Sequence, residues 1–107
     1  MTKPLPELLH EIGEKRTVAE VMSYLLDKQF VTSREIEVNT GLRQPEVSLA
    51  LSCLYDRGMI MRRHGDIPPR GRPEITYCLM YTLHDLIDLY EKDFRELLHE
   101  IEIHLDD

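Results

Sequence analysis

Five arginines, Arg57, Arg62, Arg63, Arg70 and Arg72, fall between Arg57 and Pro73 against one acid, Asp66, a local balance of +4. A guanidinium is a planar fork of N–H donors that stays charged at physiological pH and matches pairs of phosphate oxygens or base edges. Upstream, Gln44, Glu46, Ser48, Leu49, Ser52 and Cys53 lie opposite an apolar helical face that includes Val47 and Leu54. Gln44 can pair with adenine, Glu46 can accept from cytosine, Ser48 can serve either, and Leu49 can touch a thymine methyl. Arg34 and Arg43 flank this set and suit phosphates. The chemistry of these residues is reading and holding a polyanion.

No catalytic pattern competes with it. The chain has no G-x-S-x-G, no phosphate-binding glycine loop and no H-E-x-x-H, so neither an enzyme nor a bound cofactor is expected. His84, Asp88, His99, Glu102 and His104 offer ligand types for zinc but no recognisable metal site. Cys53 and Cys78 sit inside regular segments and read as two reduced, partly buried thiols rather than a disulfide framework.

The net charge of −7 taken alone opposes nucleic-acid binding. Its distribution reverses that inference. From Leu83 onward nine acids face only Lys92 and Arg95, a balance of −7, so one acidic segment hides one basic patch. At 107 residues the chain is expected to be a single domain. It has no apolar run of membrane-spanning length and no basic-then-apolar leader, so a soluble, cytoplasmic protein without membrane contact is expected.

The elements that must position these residues are legible from periodicity and punctuation. Leu5, Leu8, Leu9 and Ile12 make a short amphipathic turn or two opened by Pro4 and Pro6 and closed at Gly13. Val18, Val21, Met22, Leu25 and Leu26 predict a helix from about Arg16 to Gln29. Thr32-Ser33-Arg34-Glu35 matches a capping box that opens a third helix, which buries Ile36 and stops at Gly41. A fourth follows after a tight turn, with Pro45 in its first turn, Val47, Ala50, Leu51 and Leu54 on one face, and Gly58 at its end. The period then changes to two: Met59–His64 and Glu74–Tyr81 read as strands joined by a Pro- and Gly-rich loop, residues 65–73. Thr82-Leu83-His84-Asp85 is a variant capping box opening a helix that runs beyond Ile101.

This order predicts a mainly α fold with a small β-hairpin, a winged helix-turn-helix with an N-terminal helix and a long C-terminal helix. The core spans residues 16–81, the wing about 65–73, and the last helix 82–107. The phrases Gly41-Leu42-Arg43-Gln44-Pro45-Glu46-Val47-Ser48, Leu54-Tyr55-Asp56-Arg57-Gly58-Met59-Ile60, and Gly71-Arg72-Pro73 followed by Tyr77 and Leu79 resemble winged helix-turn-helix transcriptional regulators of the MarR, TrmB and ArsR type, especially small archaeal members. The resemblance implies a homodimer that regulates transcription, with the fourth helix in the major groove and a wing that pushes a basic side chain into the minor groove. Pro69-Arg70-Gly71-Arg72-Pro73 also looks like the core of an AT-hook, which suits a narrow A·T-rich minor groove. The expected DNA-contacting set is Arg34, Arg43, Gln44, Glu46, Ser48, Leu49, Ser52, Arg62, Arg63, Arg70, Gly71 and Arg72. The expected partner is double-stranded DNA, an A·T-rich palindrome. One departure is that the reading helix has no lysine or arginine, which leaves affinity to the wing, Arg43, helix N-termini and bivalency.

Leu83, Leu86 or Ile87, Tyr90, Phe94, Leu97 and Ile101 alternate at three- and four-residue spacing, with Leu98 widening the stripe. These eight residues are expected to form a twofold dimer interface, which would present two reading helices to a palindrome. Two alternatives stay open. One is a winged-helix protein-interaction module that does not bind DNA. The other is an ArsR-like repressor responsive to a metal at the last helix or to oxidation of Cys53.

Overall fold

The structure is a computed structural model that describes residues 2–65 and 74–106. The expected loop residues Arg70, Gly71 and Arg72 lie outside the described residues. The order is α1 (Leu5–Glu11), α2 (Arg16–Leu25), β1 (Val31–Thr32), α3 (Ser33–Thr40), α4 (Gln44–Asp56), β2 (Ile60–His64), β3 (Ile75–Leu79) and α5 (Leu83–Ile103), ending in a 3-10 turn, His104–Asp106.

Local chemistry sets the boundaries around α3 and α4. Thr32 Oγ1 accepts from the Glu35 N–H while the Glu35 carboxylate accepts from the Thr32 N–H, the reciprocal capping expected of that sequence. Gly41 ends α3 at φ +76°, a left-handed conformation that a side chain would strain, and donates to Glu37 O. Thr40 Oγ1 donates to Ile36 O and accepts from the Leu42 N–H, which ties down the three-residue turn into α4. α4 closes the same way at Gly58, φ +73°, whose N–H donates to Tyr55 O.

Val18, Val21, Met22 and Leu25 of α2 pack with Ile36 of α3 and with Val47, Ala50, Leu51 and Leu54 of α4 around one core. Met59, Ile60 and Leu79 extend this core to the sheet, Leu9 to α1 and Leu86 to α5. The sheet is antiparallel in the order β1-β3-β2, so β3 is its centre. Ile60 pairs with Leu79, Arg62 with Tyr77 and His64 with Ile75, while Val31 of β1 pairs with Tyr77 from the other side. The hairpin is therefore docked on the core at its Ile60–Leu79 end, and Gly65 and Glu74 stand exposed at the other end.

Three expectations need correction. α2 ends at Leu25, not near Gln29, because Leu26 leaves helical geometry at ψ 135° and Asp27 adopts φ +61°. β1 has no counterpart in the sequence pattern: its two residues are extended only where β3 runs beside them. Cys53 is half-buried against the core rather than on the outer face of α4.

Candidate nucleic-acid interface

α4 presents Gln44, Ser48, Leu49, Ser52, Tyr55 and Asp56 to solvent, spaced as one helical face. Leu49 is 72 % exposed, an apolar side chain with no core role. Glu46 is partly buried, and its Oε1 accepts from the Arg43 N–H at 2.9 Å, so this carboxylate caps the helix it belongs to. Arg43 is exposed beside that first turn. Arg34 projects from the first turn of α3, its guanidinium 3.8 Å from Glu37.

Between this face and the hairpin runs an open groove of about 480 Å³, lined by Ser33 at the start of α3, by Gln44, Ser48, Ser52 and Tyr55 of α4, and by Arg62 and Tyr77 of the hairpin. Arg62 lies over the Tyr55 ring with Cζ 3.7 Å from its centroid. Stacking fixes the guanidinium plane and leaves its edge N–H groups free to donate outward. The groove thus sets hydroxyl and amide donors of α4 beside a guanidinium of the hairpin, with the Asp56 carboxylate also on its wall.

Strand alternation separates the two expected hairpin arginines. Arg62 shares the face of Ile60 and Tyr77 and reaches the groove; Arg63 points the other way, over Phe30 at 4.1 Å. The period-two pattern of the sequence already contained that distinction. Arg57, counted in the basic patch, is also withdrawn from it. Its Nη1 and Nη2 donate to Glu14 Oε1 and Oε2 at 2.9 and 3.0 Å.

That ion pair, together with Tyr90, is a feature sequence reasoning missed. Glu14 stands between α1 and α2 and is only 8 % exposed. The Tyr90 hydroxyl of α5 donates to Glu14 Oε2 at 2.6 Å and lies 3.4 Å from Met22 Sδ. Burial alone would push the Glu14 carboxyl up, but hydrogen bonds from Arg57 and Tyr90 and the Arg57 charge bring it below the usual carboxylate range. Burial, with the Glu14 carboxylate next to it, pushes the Tyr90 phenol well above its usual value. No local spacing could reveal partners separated by 43 and 76 positions.

The expected dimer residues divide in two. Leu86 is fully buried in its own chain, so the structure corrects that residue: it attaches α5 to the fold. Tyr90 is half-buried, with its hydroxyl on Glu14 and its side chain still bordering the apolar groove. Leu83, Ile87, Phe94, Leu97, Leu98 and Ile101 are exposed, with Phe94 at 63 %. Leu8 and Ile12 of α1 are exposed as well and line one apolar groove of about 820 Å³ with Leu83, Ile87, Phe94 and Leu97. α1 therefore contributes to the face that the sequence pattern places on α5 alone. Among the described residues no group of three or more His, Cys, Asp or Glu side chains could hold a metal ion, and no helix is long and apolar enough to cross a membrane.

No protein-family model matches the sequence, and no curated protein matches it either. Solved structures do match the fold. A possible transcriptional regulator from Methanosarcina mazei superposes with a TM-score of 0.75 at 12 % identity, over 92 % of this chain and 82 % of that one. A MarR family regulator from Neisseria meningitidis gives 0.57 at 17 % identity over 94 % and 66 %, and a PadR family transcription regulator from Clostridium difficile gives 0.55 at 16 % over 82 % and 97 %. At these identities the likeness is one of fold, and the fold of this chain is the winged helix-turn-helix with a long C-terminal helix.

Proposed function

We propose that the protein is a sequence-specific, double-stranded-DNA-binding transcriptional regulator that acts as a homodimer in the cytoplasm and is not an enzyme. The observation that carries this reading is the shared groove of α4 and the hairpin. Gln44, Ser48, Leu49 and Ser52 can face base edges in a major groove while the stacked Arg62 meets the adjoining phosphates. Arg43 and Arg34 suit phosphates at the two helix N-termini. Arg70 and Arg72, with Gly71 between them, would enter the flanking A·T-rich minor groove. Arg63 faces away from the α4 groove and would reach only backbone on the hairpin's far side. The apolar face of α5 and α1 would be covered by a second copy, since so long an exposed stripe is costly in water.

The test is fluorescence anisotropy on DNA upstream of the protein's own gene and on pooled random duplexes, across a salt series. Wild type should bind with a steep negative salt slope, and Arg62→Ala and Arg70→Ala/Arg72→Ala should each flatten it by roughly one unit per lost phosphate contact. One observation favours a second reading, a module that binds protein instead: α4 carries Glu46 and Asp56 and no basic residue. A folded dimer indifferent to every duplex at low salt would decide for that reading.

A further inference from the structure

The way α5 is attached has a consequence for how two reading helices are spaced. Of its 21 residues, Leu86 is buried and Leu89 and Tyr90 are half-buried, while every residue from Glu91 to Ile103 is exposed. A helix whose length is roughly 32 Å is thus held by about one turn near its start. The final hold is the Tyr90 hydroxyl on Glu14, and Glu14 is in turn gripped by the two terminal guanidinium nitrogens of Arg57, the residue directly after α4. One carboxylate therefore joins the dimer helix, the α1–α2 junction and the C-terminal end of the reading helix.

We propose that Glu14, Arg57 and Tyr90 are positioning residues that fix the angle between α5 and α4, and so set the half-site spacing the dimer accepts. This rests on the DNA-binding reading above. From Tyr90 to Ile103 the helix extends about 20 Å at its usual rise, so a tilt of about 10° at the anchor moves its end about 3.5 Å. That displacement is about the 3.4 Å rise of one base step. The bidentate Arg57 contact holds the Glu14 carboxylate in place. The single directional hydrogen bond from Tyr90 to it restricts such tilting in a way apolar contacts at Leu86 and Leu89 do not, because dispersion has no preferred direction. The carboxylate keeps its geometry through the physiological range, since its partners hold it ionised.

The experiment compares wild type with Tyr90→Phe, which removes only the hydroxyl, and with Glu14→Gln. Each is used to select paired sites from a random duplex pool, and the enriched sequences are scored for half-site sequence and for spacing. In parallel, pulsed electron paramagnetic resonance measures the distance between spin labels at Glu20→Cys in α2 and Glu100→Cys in α5, in a Cys53→Ser/Cys78→Ser background diluted with unlabelled protein. Wild type should enrich a single spacing and show a narrow distance distribution. Tyr90→Phe should enrich the same half-site sequence, broaden the distance distribution, and lose about tenfold of its preference for the native spacing over its one-base-pair neighbours, the scale of one hydrogen bond to a charged group. A variant that keeps both the single spacing and the narrow distribution overturns the proposal, as does one whose distances broaden while its spacing preference holds. A wild type that enriches no paired site refutes the DNA reading itself, and the spacing role falls with it.

Discussion

Replacing Arg57 by methionine isolates the energetics of the Glu14 clamp. Methionine preserves much of the apolar stem and deletes the charge, leaving the Glu14 carboxylate buried with only the Tyr90 hydroxyl as a side-chain donor. Removing one member of a fully buried pair costs roughly 3–5 kcal/mol, because the remaining charge stays desolvated. The Arg57 side chain is 37 % exposed, so water already screens part of the pair, and about 2 kcal/mol is the reasonable figure. For a domain of this size that corresponds to a fall in Tm of about 8–16 °C at fixed protein concentration. The pH dependence gives a sharper signature. In the wild type the Glu14 carboxyl sits below its ordinary value of 4.5, so its contribution is complete above that pH and is lost as pH falls through the lower folded value. In Arg57→Met the desolvation is opposed by Tyr90 alone, and the folded value rises above the unfolded one. The ionised carboxylate then costs stability near neutrality, and that cost disappears as pH falls. The gap between the two proteins should narrow on acidification, and Arg57→Met/Glu14→Gln should recover to within about 1 kcal/mol of wild type at pH 7. Urea unfolding from pH 3.5 to pH 7.5 is the assay. A single variant within about 0.5 kcal/mol of wild type at pH 7, or a gap that stays constant with pH, would refute the reasoning, since surface substitutions give changes of that size.

Three further outcomes follow from the same contacts. Phe94→Glu/Leu97→Glu, placed on the exposed stripe of α5, should give a folded monomer by analytical ultracentrifugation with its helical circular dichroism retained; a dimer that persists would place the interface elsewhere. Thr82→Ala removes the hydroxyl that accepts from the Asp85 N–H and should cost about 1 kcal/mol in urea unfolding, with protection from hydrogen exchange lost first in the opening turn of α5. Gly41→Ala meets no steric obstacle, yet at φ +76° it should still cost about 1–2 kcal/mol, measurable as a lowered urea midpoint at unchanged m-value.

What the sequence disclosed was whatever depends on near neighbours. Both capping boxes, the left-handed stop at Gly41, the proline in the first turn of α4 and the change from helical to two-residue period were legible because each is satisfied within a few positions. β1 was not, because a two-residue strand has no periodicity and exists only through its pairing with Tyr77 and Thr76. The apolar stripe of α5 was legible as a stripe. Which part of it its own chain covers depends on the bulk of α1 and α2 beneath Leu86 and Tyr90, and no pattern on α5 records that. The Glu14–Arg57–Tyr90 clamp was hidden for the same reason: each residue alone looks like a surface charge or a seam aromatic. In the candidate site the alternation of Arg62 and Arg63 was available from the strand period, whereas the stacking of Arg62 on Tyr55 needed the return of the hairpin over α4.

Net charge misleads for a chain built this way. Electrostatic attraction between exposed charges fades over a Debye length of about 8 Å at physiological salt, whereas α5 is roughly 32 Å long. Glu100, Glu102 and Asp106 lie ten or more residues beyond Tyr90, about 15 Å or more along the helix axis and so more than a Debye length from the point where α5 is attached. Asp85, Asp88, Glu91, Asp93 and Glu96 lie nearer to it. What DNA would meet is the local set, Arg34, Arg43 and Arg62 with the loop arginines, set against Asp56 in the groove and Glu46, whose carboxylate already caps its own helix. A single copy would therefore have a small electrostatic contribution, since α4 offers its N-terminus but no basic side chain. On the proposed function, two copies on one duplex would double the number of neutralised phosphates and make the second half-site contact intramolecular, so the affinity would reside in the dimer. Selection for specificity would then act on the angle between the two halves as strongly as on the residues that face the bases, which is why a buried carboxylate far from the reading face can matter to what is read.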